Sequence, residues 1–282
     1  MRLLYLGTMP LHGNNLQEPT KKTNKKFPWI LTGIAAAYGI IVLLLGTAWY
    51  ADQMVQPFHF FNDLPEWKQL DKFAHALWAF HVCAISSRLL KWGGLDQHLI
   101  VGVITGFLIV SSIEILDGFS VGYGASIFDF LANALGALLF LVQTKYWNRI
   151  AIFPKFSFHF TSFAVLRPSL LGDGFFQEIL KDYNGQTFWY TWSPQKKWWP
   201  SFLSIAIGIG AEGMVYGRDA ENTAHNFSPY RKFFLSVDLN PNYFNPTKKS
   251  LKGIAYLLTM VKCPAPTIEI STHGIRFHWL YF

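Results

Sequence analysis

The sequence predicts a mostly α-helical membrane bundle of about four helices, followed by a smaller α+β domain. Three observations carry this expectation. Of 282 residues, 51% are hydrophobic and only 15% charged, whereas an average soluble domain carries roughly 25% charged residues. Four long apolar segments fill the first half of the chain. From Ile150 onward the pattern changes to short alternating runs punctuated by Pro and Gly. The chain therefore divides into a polar, basic N-terminal segment (1–27), a helical membrane bundle (28–149) and an α+β domain with amphipathic strands (150–282).

The same figures exclude other classes. The hydrophobic content is too high for disorder, and neither collagen nor coiled-coil periodicity is present. Two cysteines, Cys83 and Cys263, cannot staple a secreted scaffold. The net charge is +7, but the 24 basic residues form no stripe interleaved with aromatics, which argues against a nucleic-acid partner.

The first apolar segment, Pro28 to Tyr50, contains no charge and is long enough as a helix to cross a hydrocarbon core of about 30 Å. Trp29 and the pair Trp49–Tyr50 mark its ends as interfacial aromatics do. Lys21, Lys22, Lys25 and Lys26 precede it. A cleaved signal peptide is the competing reading, opposed by the length of the apolar core and by the lack of a small-x-small site close behind it.

Helices are expected from about Leu70 to Leu90, from Gln97 to Leu116 and from Ala125 to about Gln143. A hydrophobic hairpin buried in a large soluble core is the alternative for these three. Basic residues set the orientation and favour four spans over one. Lys21 to Lys26, then Arg88 and Lys91, then Lys145 and Arg149 alternate with connections holding little that is basic beyond Lys68. The positive-inside rule then places both ends of a four-span bundle in the cytoplasm and the two acidic connections outside. The inner membrane is favoured, with an exported, outer-membrane-associated protein as the alternative.

A polar cluster follows from this arrangement. Asp71, Lys72 and His75 open the second helix, Glu114 and Asp117 close the third, and Asp129 and Asn133 open the fourth. Antiparallel neighbours bring these positions to one end of the bundle, and the i,i+3 and i,i+4 spacings put each pair on one face. Ionisable groups at membrane depth are costly and mark functional sites. His75 with Asp71, Glu114, Asp117 and Asp129 forms a general acid–base set. His75, Glu114, Asp117 and Asp129 equally suit a divalent metal, and Lys72 and Asn133 could hold a ligand. A polar network that only fixes helix register accounts for the same residues without chemistry. His81 reads as a satisfied bundle histidine and Ser126 as an N-cap. Ala132, Gly136 and Ala137 offer a small face for close helix approach.

The strings DKFAHALWAF (Asp71 to Phe80), EILDGFS (Glu114 to Ser120) and ASIFDFLANALGA (Ala125 to Ala137) resemble the YfiM-like envelope family of unknown function. FHFFND at Phe58 to Asp63 and LLGDGFFQEILKDYNGQTFW at Leu170 to Trp189 resemble its longer Bacteroidota members. The resemblance runs from Phe58 to Phe282. The D-K-x-x-H, E-x-x-D and D-x-x-x-N arrangement is more faintly similar to VanZ-like membrane proteins. These resemblances imply a Gram-negative envelope protein and bring no established activity. Relatives look exported, one of them a lipoprotein, whereas no lipobox cysteine stands near the start of this sequence.

In the second half, 13 basic and 8 acidic residues place most of the net charge. Strands are expected at Phe156 to Val165, Phe202 to Tyr216, Lys232 to Asn240 and Thr267 to Phe282, with a weaker one at Gly185 to Trp192. Amphipathic helices are expected at Gly174 to Tyr183 and Lys248 to Lys262. The terminal RFHWLYF looks like the last strand of an outer-membrane barrel, but so few strands cannot close a barrel of eight. The remaining reading is an amphipathic sheet lying on the membrane or on the bundle, with Trp198 and Trp199 as an interfacial anchor.

The expected function is that of an envelope membrane protein with a structural or accessory role, whose polar cluster binds a small ligand or metal. The alternative is an envelope hydrolase or transferase with His75 as base and Asp71 orienting it. Expected partners are the lipid membrane, other envelope proteins and, through the basic second half, anionic lipid.

Overall fold

The computed structural model describes residues 26–45, 56–243, 246 and 248–282. The expectations for Lys21 to Lys25 and for Trp49 and Tyr50 lie outside these residues. Four long helices come first: α1 (Phe27–Leu45), α2 (Leu70–Trp92), α3 (His98–Gly118) and α4 (Ile127–Trp147). By length and composition all four could cross a membrane. The strands and short helices follow: β1 (Ile152–Phe158), α5 (Pro168–Leu171), α6 (Phe175–Lys181), β2 (Gln186–Trp192), β3 (Leu203–Glu212), α7 (Asp219–Ala224), β4 (Tyr230–Leu239), α8 (Lys249–Thr259), β5 (Ala265–Ser271) and β6 (Gly274–Tyr281). The fold is a helical bundle followed by a six-stranded antiparallel sheet in the order β1-β2-β3-β4-β5-β6.

Glycine sets how closely the bundle packs. A Cβ on Gly102 would stand 2.4 Å from Ser87 Cα, one on Gly106 2.5 Å from the Cys83 nitrogen, and one on Gly136 2.0 Å from the Ala76 carbonyl oxygen. Both α3 and α4 thus press backbone to backbone against α2, as small residues allow in membranes. Phe80, Phe140 and Phe153 share one core cluster, which joins α2 and α4 to the sheet. His81, fully buried, lies 2.8 Å (Nδ1) from the Tyr256 hydroxyl and donates through Nε2 to the Pro154 carbonyl at 3.0 Å. It is therefore a satisfied structural histidine.

The sheet differs from expectation in three places. The first strand begins earlier than Phe156 and ends at Phe158, where the chain leaves the ladder and Thr161 hydrogen-bonds Asp182. The weak run at Gly185 to Trp192 is a full interior strand, paired along its length with β1. The run from Thr267 to Phe282 is two strands, since Gly274 takes φ +106 and turns the chain back on itself. The six strands among the described residues are fewer than the eight a closed bacterial barrel needs.

Candidate functional site

The cluster is assembled from α2, α3, α4 and the loop before α2. Immediately ahead of α2, Trp67, Lys68 and Gln69 all have left-handed backbone (φ 49, 52 and 60). Non-glycine residues adopt this conformation at a cost and keep it only where neighbours hold it. Here Trp67 N donates to the Gly217 carbonyl at 2.7 Å, and Arg231 donates to the Lys68 carbonyl at 3.2 Å. The turn delivers Asp71 and Lys72 into the bundle. At α4, Ser126 is the N-cap, its Oγ accepting from Asp129 N at 3.1 Å. The same hydroxyl donates to Asp63 Oδ1 at 2.6 Å, which ties the loop to the helix start.

Lys72 Nζ sits among three carboxylates: 2.6 Å from Asp63 Oδ2, 2.6 Å from Asp71 Oδ2 and 2.7 Å from Asp129 Oδ1. Asp63, Asp71 and Asp129 could as a trio hold a cation, but this chain's own ammonium already stands there. Asp63 is held below the ordinary carboxylate range. Burial acts to raise it, and hydrogen bonds from the Asp129 carboxyl, Lys72 and Ser126 outweigh that effect.

Beside this ammonium is a second grouping. His75 Nδ1 lies 3.6 Å from Glu114 Oε1, and His75 Nε2 lies 3.7 Å from Asp129 Oδ1. One ligand atom each from His75, Glu114 and Asp129 fall within 4.8 Å of one another. Asn133 Oδ1 stands 3.3 Å from His75 Nδ1, and Asn133 Nδ2 donates to Ser111 Oγ at 3.4 Å. Glu114 Oε2 accepts the Ser126 backbone N–H at 3.2 Å. Its other oxygen, Oε1, is buried without a hydrogen-bond partner, although the Glu114 side chain is only 7% exposed.

Of the residues singled out from the sequence, His75, Lys72, Asp71, Glu114, Asp129 and Asn133 come together. Asp71 turns to Lys72, and the neighbours of the His75 ring are Glu114, Asp129 and Asn133. Asp117, one turn beyond Glu114 and half-buried, lies outside the grouping of His75, Glu114 and Asp129. Asp63 belongs to the cluster and was not anticipated, because it lies in a loop without periodicity. Its only local signal is its place shortly ahead of a helix that opens with Asp-Lys. Half-buried Tyr183 borders the cluster. Burial first, and then the charges of Asp71 and Asp129, push its phenol well above the usual range, so it stays protonated.

Four carboxylates thus face one ammonium and one imidazole in a largely buried volume. Such an excess of negative charge is unfavourable unless a proton or a cation compensates it. Two ligand atoms on a tetrahedral ion at about 2.1 Å stand roughly 3.4 Å apart, close to the 3.6 Å between His75 Nδ1 and Glu114 Oε1.

Residues 60–144, less than a third of the chain, match a family described as "Predicted periplasmic lipoprotein (DUF2279)". The matched stretch contains every residue of the cluster from Asp63 to Asn133. No curated protein and no solved structure matches the chain. The similarity supports a protein of the cell envelope and carries no activity with it.

Proposed function

We propose that this chain is an envelope membrane protein of accessory, structural role, in which His75, Glu114 and Asp129 hold a divalent cation at the periplasmic end of the bundle. The observation that carries this reading is Glu114 Oε1, buried and without a hydrogen-bond partner, facing His75 Nδ1 at 3.6 Å. A buried acceptor in that state is costly, and an ion between these side chains would satisfy it. The three ligands come from α2, α3 and α4, so a bound ion would lock the three helix ends together, with Lys72 doing the same for the loop at Asp63. The basic residues Arg88, Lys91, Lys145 and Arg149 lie at the opposite helix ends, which supports the cluster facing away from the cytoplasm.

The test is metal analysis and titration calorimetry on the full chain in detergent, stripped with chelator and then offered Zn²⁺, Mn²⁺ or Mg²⁺. One equivalent of one of these ions is expected to bind, with affinity falling at least tenfold in Glu114→Gln and in His75→Ala, the scale for losing a group that shapes a metal site. Binding unchanged in both variants, or no stoichiometric binding of any of the three, overturns the reading.

A further inference from the structure

The sheet turns an almost wholly apolar face outward. Register rows run Phe188–Ile209–Phe233–Ile270–Ile275 and Tyr190–Ile207–Leu235–Ile268–Phe277 across β2 to β6, and all these side chains share one face. On the opposite face lie the ion pairs Lys155–Asp238 and Lys232–Glu212 and the hydrogen-bonded pair His278–Glu269, each at 2.9 Å, together with Ala206, Gly208 and the aromatic group of Trp189, Phe234 and Tyr281. That mixed face is the buried one. Lys155 and Asp238 are 2% and 0% exposed at the side chain, and the sheet curls until Tyr281 on β6 bonds Thr187 on β2, hydroxyl to hydroxyl, at 3.1 Å. A sheet in water buries its apolar face; this one presents it outward.

Helix α2 covers the outward face only over its first strands, where Leu70 and Leu77 pack with Phe188 and Ala211. Beyond them the face is open: Ile207 is 60% exposed, Phe233 49%, Leu235 48%, Ile268 39%, Ile270 48% and Phe277 56%. Outward positions of β3 to β6 carry no charge apart from Arg231 at the margin, which is bound to the turn before α2. Strands β3 and β4 have ten residues each, about 33 Å at roughly 3.3 Å per residue, enough to traverse a hydrocarbon layer. At one end of the band stand Trp192 and Trp279, 48% and 79% exposed, as aromatic residues stand at the margins of lipid-facing sheets.

We infer that the outward face of β3–β6 lies against the hydrocarbon of a lipid bilayer, in the same slab as the helices. Continuity favours lipid over a protein partner. The open sheet face adjoins α2, and exposed apolar side chains continue on α3 (Ile104, Leu108) and α4 (Leu135, Leu138). A single protein partner covers one patch, whereas a bilayer covers such a perimeter without a break. Apolar patches of this extent are not left to water.

The experiment uses the unaltered full chain in vesicles of phosphatidylcholine and phosphatidylglycerol containing a phosphatidylcholine with a photoactivatable acyl chain. After illumination and trypsin digestion, lipid adducts are expected on the peptides Phe233 to Lys248 and Cys263 to Arg276 as well as on the peptide Trp92 to Lys145, which contains α3 and most of α4, and not on Asp219 to Arg231. Adducts confined to the helices overturn the inference. A second measurement places a single cysteine at Leu235→Cys in a Cys83→Ala, Cys263→Ser background. Efficient disulfide trapping between two copies in these vesicles, without lipid adducts on the sheet, would mean that a second copy covers the face and would equally overturn it. An absence of trapping together with adducts on both sheet peptides supports it.

Discussion

Lys72 Nζ stands 2.6 Å from Asp63 Oδ2, so a loop residue well ahead of α2 and a residue in its first turn are joined by a largely buried charge pair, 12% and 14% exposed at their side chains. The same ammonium reaches Asp71 and Asp129, and Ser126 closes the circuit from Asp63 back to the start of α4. Removing the cation leaves carboxylates facing one another in a volume with little water. Lys72→Met is therefore expected to destabilise the protein by about 3 kcal/mol or more, the scale for breaking a buried pair by deleting one partner. Lys72→Arg keeps the charge and should recover part of the loss. Thermal unfolding of the three proteins in one detergent measures the difference.

Gly136 faces the Ala76 carbonyl so closely that a Cβ would stand 2.0 Å from the oxygen. Backbone cannot yield as a flexible side chain can, so Gly136→Ala must push α4 away from α2. Overpacking of this kind costs about 1–3 kcal/mol. Because α4 carries Asp129 and Asn133, the same shift should loosen the cluster. Unfolding by denaturant reads the first effect; the second is read as weaker binding of whichever divalent ion the unaltered chain retains.

The helices were legible because their apolar runs are long, and their ends fall within a few residues of expectation. Six of the cluster residues were legible for the same reason, since helix ends and antiparallel packing fix where charges at those ends must meet. Asp63 was not legible, because a loop has no period that announces its destination. The α3 spacing Gly102–Gly106 is a close-approach signal that the reading of the small face on α4 passed over. In the sheet, the alternation of Leu203, Ile205, Ile207 and Ile209 with Ser204, Ala206, Gly208 and Gly210 was plain. Which face would be buried was not, because alternation sets the two faces apart without saying what solvent each one meets. The hairpin between β5 and β6 was hidden because its turn, Thr272–His273–Gly274, interrupts the apolar run only briefly.

Gln143 joins the bundle to the sheet. It is 1% exposed, its Oε1 accepts the backbone N–H groups of Ala151 at 2.8 Å and Ile152 at 2.6 Å, and its Nε2 donates to the Ile152 carbonyl at 2.9 Å. Gln143→Leu keeps much of the volume but leaves these backbone groups without partners at the start of β1. A cost of about 2 kcal/mol or more is expected, since each orphaned buried donor loses its full desolvation compensation. Gln143→Glu retains an acceptor for the two N–H groups and loses the donor, so it should fall between the two. Amide hydrogen exchange offers a local check: protection at Ala151 and Ile152 should drop in Gln143→Leu more than at the middle of β3.

His159, just past the end of β1, packs its ring 5.9 Å from that of Tyr281 at an edge-on angle. Burial, and then the charge of Lys232, lower its pKa below the usual 6.5, against the opposing pull of Glu212, Asp182 and Glu269. The folded protein thus binds this proton less readily than the unfolded chain does. Above pH 6.5 the ring is neutral in both states and costs nothing. As pH falls below 6.5 the unfolded chain takes up the proton first, and stability declines until the pH has passed the lowered folded value, after which the loss is constant. His159→Asn removes the titrating ring, so its stability should fall less steeply than that of the unaltered protein over the window just below pH 6.5. The measurement is denaturant unfolding at a series of pH values with both proteins in the same detergent. Parallel curves through that window would show that His159 is not the group responsible. A flatter curve for His159→Asn, meeting the other above pH 6.5 after correction for the constant difference, is the expected result.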